Sequence, residues 1–200
     1  DAGYAVDTME TAIDWVRVAD AAAGIQSDIA NALAALALGS VMGLPMHAML
    51  SALREYKGLP HRCRLVRERH GVRWYNDSKA TNVGASIAAI EGLAGNGGLV
   101  LILGGVGKGQ DFSGLTPVLK AHVSAAVLIG EAASEIAAIM PSTVITETAD
   151  SIKSAVNLAA KFATEGMQVL LSPACASFDM FLSYVDRGQQ FEQAVRELQA

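Results

Sequence analysis

The chain has 200 residues, 52% of them apolar, and its 15 lysines and arginines against 20 aspartates and glutamates leave a formal net charge of −5. That length suits one large domain, or one domain with part of another, built around a substantial core. The charges are mixed and form no polybasic run, which argues against nucleic acid as a partner. The longest apolar stretch, residues 30–38, is interrupted by Asn31 and is shorter than the about 20 residues that span a bilayer, so no membrane role follows.

In chain order, Asp1 stands where Met would, and the residues after it lack the charged start and long apolar core of a secretory signal, so the chain reads as a piece of something longer. Residues 9–38 look helical in parts, most strongly 28–38, which are rich in alanine and leucine. Gly43-Leu44-Pro45 ends that region, and a short helix is expected over 47–54. Residues 55–60 combine polarity with Gly58 and Pro60 as linkers do, which places a domain boundary near Gly58. Beyond it, runs 63–68 and 72–76 predict a β-hairpin turned through His70-Gly71.

Strands are then expected at 99–103, 125–129, 144–146 and 169–171, and helices at 85–93, 115–120, 132–139 and 151–164. This β-α-β rhythm implies an α/β fold with a mostly parallel sheet flanked by helices. Residues 189–198, with Phe191, Ala194, Val195 and Leu198 on one face, predict a closing amphipathic helix.

Three polar loops follow strand-like runs: 74–82, 104–112 and 172–179. In an open α/β sheet such loops converge on a crevice at the carboxyl ends of the strands. There they would set two lysines, Lys79 and Lys108, with Thr81 and Ser177 around one ligand. The glycines before Lys108 do not make a phosphate loop, because Ile102 stands where its first glycine belongs and Gly109 where Ser or Thr would follow the lysine. Lys108 is better suited to a carboxylate, and the alternative is a glycine-rich turn with a solvated lysine.

In Asn76-Asp77-Ser78-Lys79-Ala80-Thr81-Asn82 the short polar side chains can cap a following helix, whose free amides attract anions. The bland alternative is a capped strand-to-helix turn and nothing more. Ser177 can cap a helix beginning near Phe178. Cys175 has no histidine nearby in sequence to activate it and reads as a packing residue. Cys63 and Cys175 suit a reduced, cytoplasmic setting. The four histidines lack metal-ligand spacing, so no metal is assigned to this chain.

Taken in order, Leu59-Pro60-His61-Arg62, Asn76-Asp77-Ser78-Lys79-Ala80-Thr81-Asn82, Gly104-Gly105-x-Gly107-Lys108 and Ser172-Pro173-Ala174-Cys175-Ala176-Ser177-x-Asp179 closely resemble the Mur ligases, in particular the branch that adds D-glutamate. Residues 31–35 and Gly43-Leu44-Pro45 extend the resemblance into the end of the family's central domain. The resemblance implies that 1–58 are the helical tail of a central ATP-binding domain and that 59–200 are a C-terminal Rossmann-like, amino-acid-binding domain. It further implies peptidoglycan-precursor synthesis, in which ATP phosphorylates the carboxylate of UDP-N-acetylmuramoyl-L-alanine and the amine of D-glutamate displaces phosphate.

By the same resemblance Thr81, Lys108 and Ser177 hold the D-glutamate carboxylates, with Phe178 to Tyr184 lining the pocket, while Asn31, Arg62 and Asp77 face the nucleotide. The phosphate loop and the principal ligands of Mg2+ would belong to the missing domains, so no catalytic residue is assigned here and the chain is expected to be inactive alone. Two positions depart from the family pattern: Ser27-Asp28 replace a His-Asn pair, and Tyr184 stands where phenylalanine is expected. Another Mur-type ligase is the nearest alternative, although the Asp-Asn-Pro-Arg of a diaminopimelate-adding enzyme is absent. A stand-alone amino-acid-binding module is the second. A nicotinamide-dependent oxidoreductase lacks its Gly-x-Gly-x-x-Gly after the first strand.

Overall fold

A computed structural model describes residues 26–56, 58–95 and 98–198, with the side chains of 26–30 left out. The helical reading of residues 9–25 lies outside the described residues. The chain divides at Gly58 into two compact units, residues 1–58 and 59–200.

In the first unit, α1 (Gln26–Val41) and α2 (Met46–Glu55) form a helical hairpin. Ala32, Leu36 and Leu50 bury against Met46, Met49 and Leu53. Gly43 sits in the left-handed region, and Leu44 N–H returns to the Gly39 carbonyl at 2.9 Å, which closes α1 before Pro45 opens α2.

The second unit begins with the hairpin of β1 (Arg64–Arg69) and β2 (Val72–Asn76). His70 and Gly71 both have positive φ, 49° and 71°, the combination a type I′ hairpin turn requires. Then follow α3 (Val83–Leu93), β3 (Leu99–Gly104), a 3₁₀ turn at Ser113–Leu115, α4 (Thr116–His122), β4 (Val123–Ile129) and α5 (Ala133–Ala138). β5 (Ile145–Ala149), α6 (Ile152–Phe162), β6 (Gln168–Leu171) and α7 (Tyr184–Glu197) complete it.

Among the described residues one sheet runs in the order β1-β2-β6-β3-β4-β5, and every pairing except β1 with β2 is parallel. β3 and β6 are buried along their whole lengths, so residues 99–103 and 169–171 read as unbroken apolar runs rather than alternating ones. One face of the sheet carries Trp74, Val100, Ile102, Val127 and Val169 against Ile152, Ala155, Val156 and Ala159 of α6 and Phe191 and Val195 of α7. Strand alternation sends Leu101 and Leu103 to the opposite face, and both are wholly buried.

Three expectations change. β5 spans Ile145–Ala149 rather than 144–146, an edge strand with exposed residues whose mixed polarity hid it. No helix begins near Phe178. Instead α7 starts at Tyr184, five residues ahead of the expected 189, because Ser183 caps it by accepting from Asp186 N–H. Gly188 had masked this turn, yet it is there for space: a side chain at that position would overlap the His61 ring.

Candidate functional site

The carboxyl ends of β2, β6, β3 and β4 lie side by side, and the loops that leave them interlock. Val106 and Ala176 exchange two backbone hydrogen bonds, at 2.9 and 3.1 Å, which pairs the β3 and β6 loops. Ala132 N–H donates to the Gly105 carbonyl, and Glu131 N–H donates to Asp179 Oδ2 at 2.9 Å, which ties in the loop after β4. The glycines are needed for this contact. A side chain at Gly104 would overlap the Ile129 carbonyl, one at Gly105 the Ala176 carbonyl, and one at Gly130 the Asp179 carboxylate. Gly104 and Gly105 also hold φ of 118° and 129°.

Gln110 fastens the same assembly from inside. Its Nε2 donates to the Gly107 carbonyl (2.9 Å) and the Ala174 carbonyl (3.2 Å), while its Oε1 accepts from Val83 N–H (3.2 Å) at the start of α3. Lys108 and Ala174, in the two loops it joins, both adopt left-handed backbone, at φ 54° and 57°. Such conformations cost about 1–3 kcal/mol each and persist only where surroundings impose them. Thr81, Lys108 and Ser177 each lie within two residues of a backbone group in this network, so their loops are held as one body. Lys108 is exposed, Thr81 half-buried and Ser177 buried.

Asn82, not Asp77 or Ser78, caps α3, accepting from Ala85 N–H at 2.9 Å. Asp77 is buried and its carboxylate works inward: Oδ1 accepts from Cys63 N–H (3.2 Å) and Oδ2 from the Ser172 hydroxyl (2.9 Å). That joins the start of the hairpin to the ends of β2 and β6. Arg62, beside that joint, is exposed, and Asn31 is an exposed residue of α1 in the first unit.

The Ser177 carbonyl accepts from Phe181 N–H (2.8 Å) in a turn, which replaces the expected helix cap. Phe178 projects from this turn, 73% exposed. Tyr184 meets His61 edge to face, with centroids 6.2 Å apart, and Lys79 Nζ lies 4.1 Å from the centre of its ring. Lys79 therefore approaches the α7 start as well as the β2 loop.

Behind these loops lies Arg187, wholly buried on α7. Its Nε donates to the Ser78 hydroxyl (3.0 Å), Nη2 to the Ser78 carbonyl (2.9 Å), and Nη1 and Nη2 both to the Cys175 carbonyl (3.1 Å). Burial pulls its pKa down to about 10. Burial also pushes the Cys175 thiol up to about 12, against the smaller opposing pull of Arg187, so this cysteine is a neutral packing group. Among the described residues no group of three His, Cys, Asp or Glu is placed to hold a metal ion.

Sequence reasoning missed Gln110 and Arg187. Gln110 left no signal, since its partners come from residues 83, 107 and 174. Arg187 did leave one, because it stands one turn before Phe191 on the apolar stripe of α7, where a solvated charge would not belong.

A mostly parallel sheet flanked by helices, with interlocked small-residue loops at its carboxyl edge, defines an open α/β domain. The family model described as "Mur ligase, glutamate ligase domain" matches residues 61–175, and the chain belongs to the Mur ligase family. It is 56% identical over 171 residues to the UDP-N-acetylmuramoylalanine–D-glutamate ligase of Nitrosococcus oceani, covering 86% of this chain and 38% of that protein. The protein of the same name from Acinetobacter baylyi is 51% identical over 176 residues, 86% of this chain and 39% of that protein. The chain thus spans about two fifths of the length of these curated relatives.

Two solved structures share the fold. The UDP-N-acetylmuramate-alanine ligase MurC of Thermotoga maritima superposes with a TM-score of 0.64 at 14% identity, over 88% of this chain and 39% of that one. MurF of Acinetobacter baumannii gives a TM-score of 0.63 at 17% identity, over 84% and 38%.

Proposed function

We propose that this chain is the amino-acid-binding end of an ATP-dependent ligase that joins D-glutamate to UDP-N-acetylmuramoyl-L-alanine in peptidoglycan-precursor synthesis in the cytoplasm. The observation that carries the reading is the bracing of the β2, β3 and β6 loops into one body through Gln110 and the Val106–Ala176 pair, which brings the segments bearing Thr81, Lys108 and Ser177 to one sheet edge. The identity of the relatives above selects the D-glutamate branch of the family.

On this reading Lys108 supplies charge, and Thr81 and Ser177 supply hydroxyl donors, to the two carboxylates of D-glutamate. Phe178 and Tyr184 bound the pocket. ATP supplies the phosphoryl group that turns the acceptor carboxylate into an acyl phosphate, a mixed anhydride with phosphate as its leaving group, and ADP is released. This chain's part is to hold the amine of D-glutamate where it can attack the carbonyl carbon, with loss of its proton as phosphate departs. Asn31 and Arg62 serve the nucleotide side. The inward hydrogen bonds of Asp77 suit a residue that shapes the nucleotide-facing loop more than one that ligates a metal, and the reading assigns Mg2+ to the domains this chain lacks. Residues 1–58 are the tail of the central domain.

The test is phosphate release by the full-length parent with ATP, Mg2+ and UDP-N-acetylmuramoyl-L-alanine, comparing D-glutamate, L-glutamate, L-lysine and diaminopimelate. Release with D-glutamate alone, and no ADP from the 200-residue chain by itself, is the expected result. Release with a different amino acid would keep the ligase and remove the assigned pocket.

A further inference from the structure

Asn76 is wholly buried at the carboxyl end of β2, and its amide has a fixed direction. Oδ1 accepts from Ser78 N–H at 3.0 Å, so the other arm of the amide is the NH2 group, because a flipped amide would set a donor against a donor. Nδ2 then faces three acceptors: the Gly188 carbonyl at 3.1 Å, Glu192 Oε1 at 2.9 Å and His61 Nδ1 at 2.9 Å. An amide nitrogen only donates, so a proton on His61 Nδ1 would find no acceptor there. The proton of the neutral His61 ring therefore belongs on Nε2.

The surroundings hold the ring in this arrangement. His61 is 7% exposed, its φ is 60°, and its carbonyl accepts from Lys79 N–H at 3.0 Å. Tyr184 stands edge to face with the ring, and a side chain at Gly188 would overlap Nδ1. No described residue accepts a hydrogen bond from His61 Nε2. Yet the buried side-chain atoms without a partner among the described residues are Gln168 Oε1 and Asp179 Oδ1, and His61 Nε2 is not one of them. Nε2 is thus the atom through which a nearly buried ring reaches the surface, immediately before Arg62 in the chain and tied to the loop that bears Lys79.

We propose that Asn76 is a positioning residue: it fixes His61 in the Nε2–H tautomer, so that the ring offers the nucleotide a hydrogen-bond donor rather than an acceptor. Asn76 is wholly buried and acts through His61. The tautomer follows from the hydrogen bonds of Asn76, whereas the nucleotide as recipient rests on the proposed function.

The test uses the full-length enzyme. With 15N-labelled histidine, long-range 1H–15N correlation at about pH 8, above the ordinary histidine value of about 6.5, reads the tautomer, and His61→Gln assigns the signal by removing it. A pyrrole-like Nε2 and a pyridine-like Nδ1 are expected, and the reverse pattern overturns the proposal. Kinetics then ask what the tautomer is for. Glutamine at position 61 sets an amide nitrogen near the place of Nε2, and asparagine near that of Nδ1. His61→Gln is expected to keep the KM for ATP within about threefold, and His61→Asn to raise it about tenfold or more.

Asn76→Ala is expected to raise the KM for ATP about tenfold in the His61 enzyme but less than about threefold in His61→Gln, since glutamine has no tautomer to fix. Equal rises in both backgrounds would mean that Asn76 only supports the fold, and overturn the proposal. Should Asn76→Ala not fold, the spectrum of the unmutated enzyme and the contrast between His61→Gln and His61→Asn decide, and equal losses in those two overturn the donor role. An unmutated enzyme that shows the expected spectrum but turns over without ATP overturns the site reading and the nucleotide as recipient, and supports the tautomer.

Discussion

At the scale of single residues, the loops that leave the sheet combine strain, close contact and buried polarity. Lys108 and Ala174 hold left-handed backbone without being glycine, and Gly104, Gly105 and Gly130 are glycine because neighbouring backbone or a carboxylate fills the space of a side chain. Cys175 sits within the same packing. Its pKa is raised from 9.0 to about 12 by burial, so the neutral thiol is favoured by the fold. The stabilisation from that shift is fully present below pH 9 and is lost as pH rises from 9 toward 12, the folded value. Alkylation of the native chain at pH 8, followed by mass spectrometry, is expected to leave Cys175 unmodified until the chain is unfolded. Denaturant midpoints should fall between pH 8 and 10 less steeply in Cys175→Ala than in the unmutated chain. Rapid labelling of the native thiol would show that the loop opens.

At the scale of elements, the site depends on which loops are tied together more than on any one of them. Gln110 links the β3 loop, the β6 loop and the start of α3, so Gln110→Ala removes the side-chain partner of the Ala174 carbonyl and of the Val83 amide at once, while the Gly107 carbonyl keeps the Gln110 N–H. Loss of about 1–3 kcal/mol of stability is expected, with a rise in the KM for D-glutamate larger than any change for ATP. Urea unfolding and steady-state kinetics of the full-length variant would check both. A variant with normal stability and normal KM would mean that the loops hold their positions without it.

The elements themselves differed in how far they could be read from sequence. β3, β4 and β6 were legible because strands covered on both faces are continuously apolar, and the hairpin because His70-Gly71 carries its turn. β5 was clipped because an edge strand needs no such run. The first turn of α7 was hidden by Gly188, whose reason for being glycine is the His61 ring, more than 100 residues away in sequence. Local pattern carries no trace of a contact of that kind. The same holds for Gln110 and for the inward-facing carboxylate of Asp77, whose donors come from Cys63 and Ser172.

At the scale of the molecule, most of the buried polar residues of the α/β unit, Gln168 at the amino end of β6 apart, gather at the carboxyl edge of its sheet, and the core beneath is apolar along residues 99–103 and 169–171. That division lets the loops carry strain while α6 and α7 clamp the sheet through Ile152, Val156, Phe191 and Val195. On the proposed function an anionic ligand complements this edge, since Lys79 and Lys108 belong to loops that meet there. The most direct measurement is the KM for D-glutamate, beside the KM for ATP, in full-length enzymes carrying Thr81→Ala, Lys108→Ala or Ser177→Ala. The account predicts a rise of about tenfold or more for D-glutamate in each, largest for Lys108→Ala, with ATP changed by less than about twofold. Unchanged D-glutamate values, or equal losses for both substrates, would contradict it.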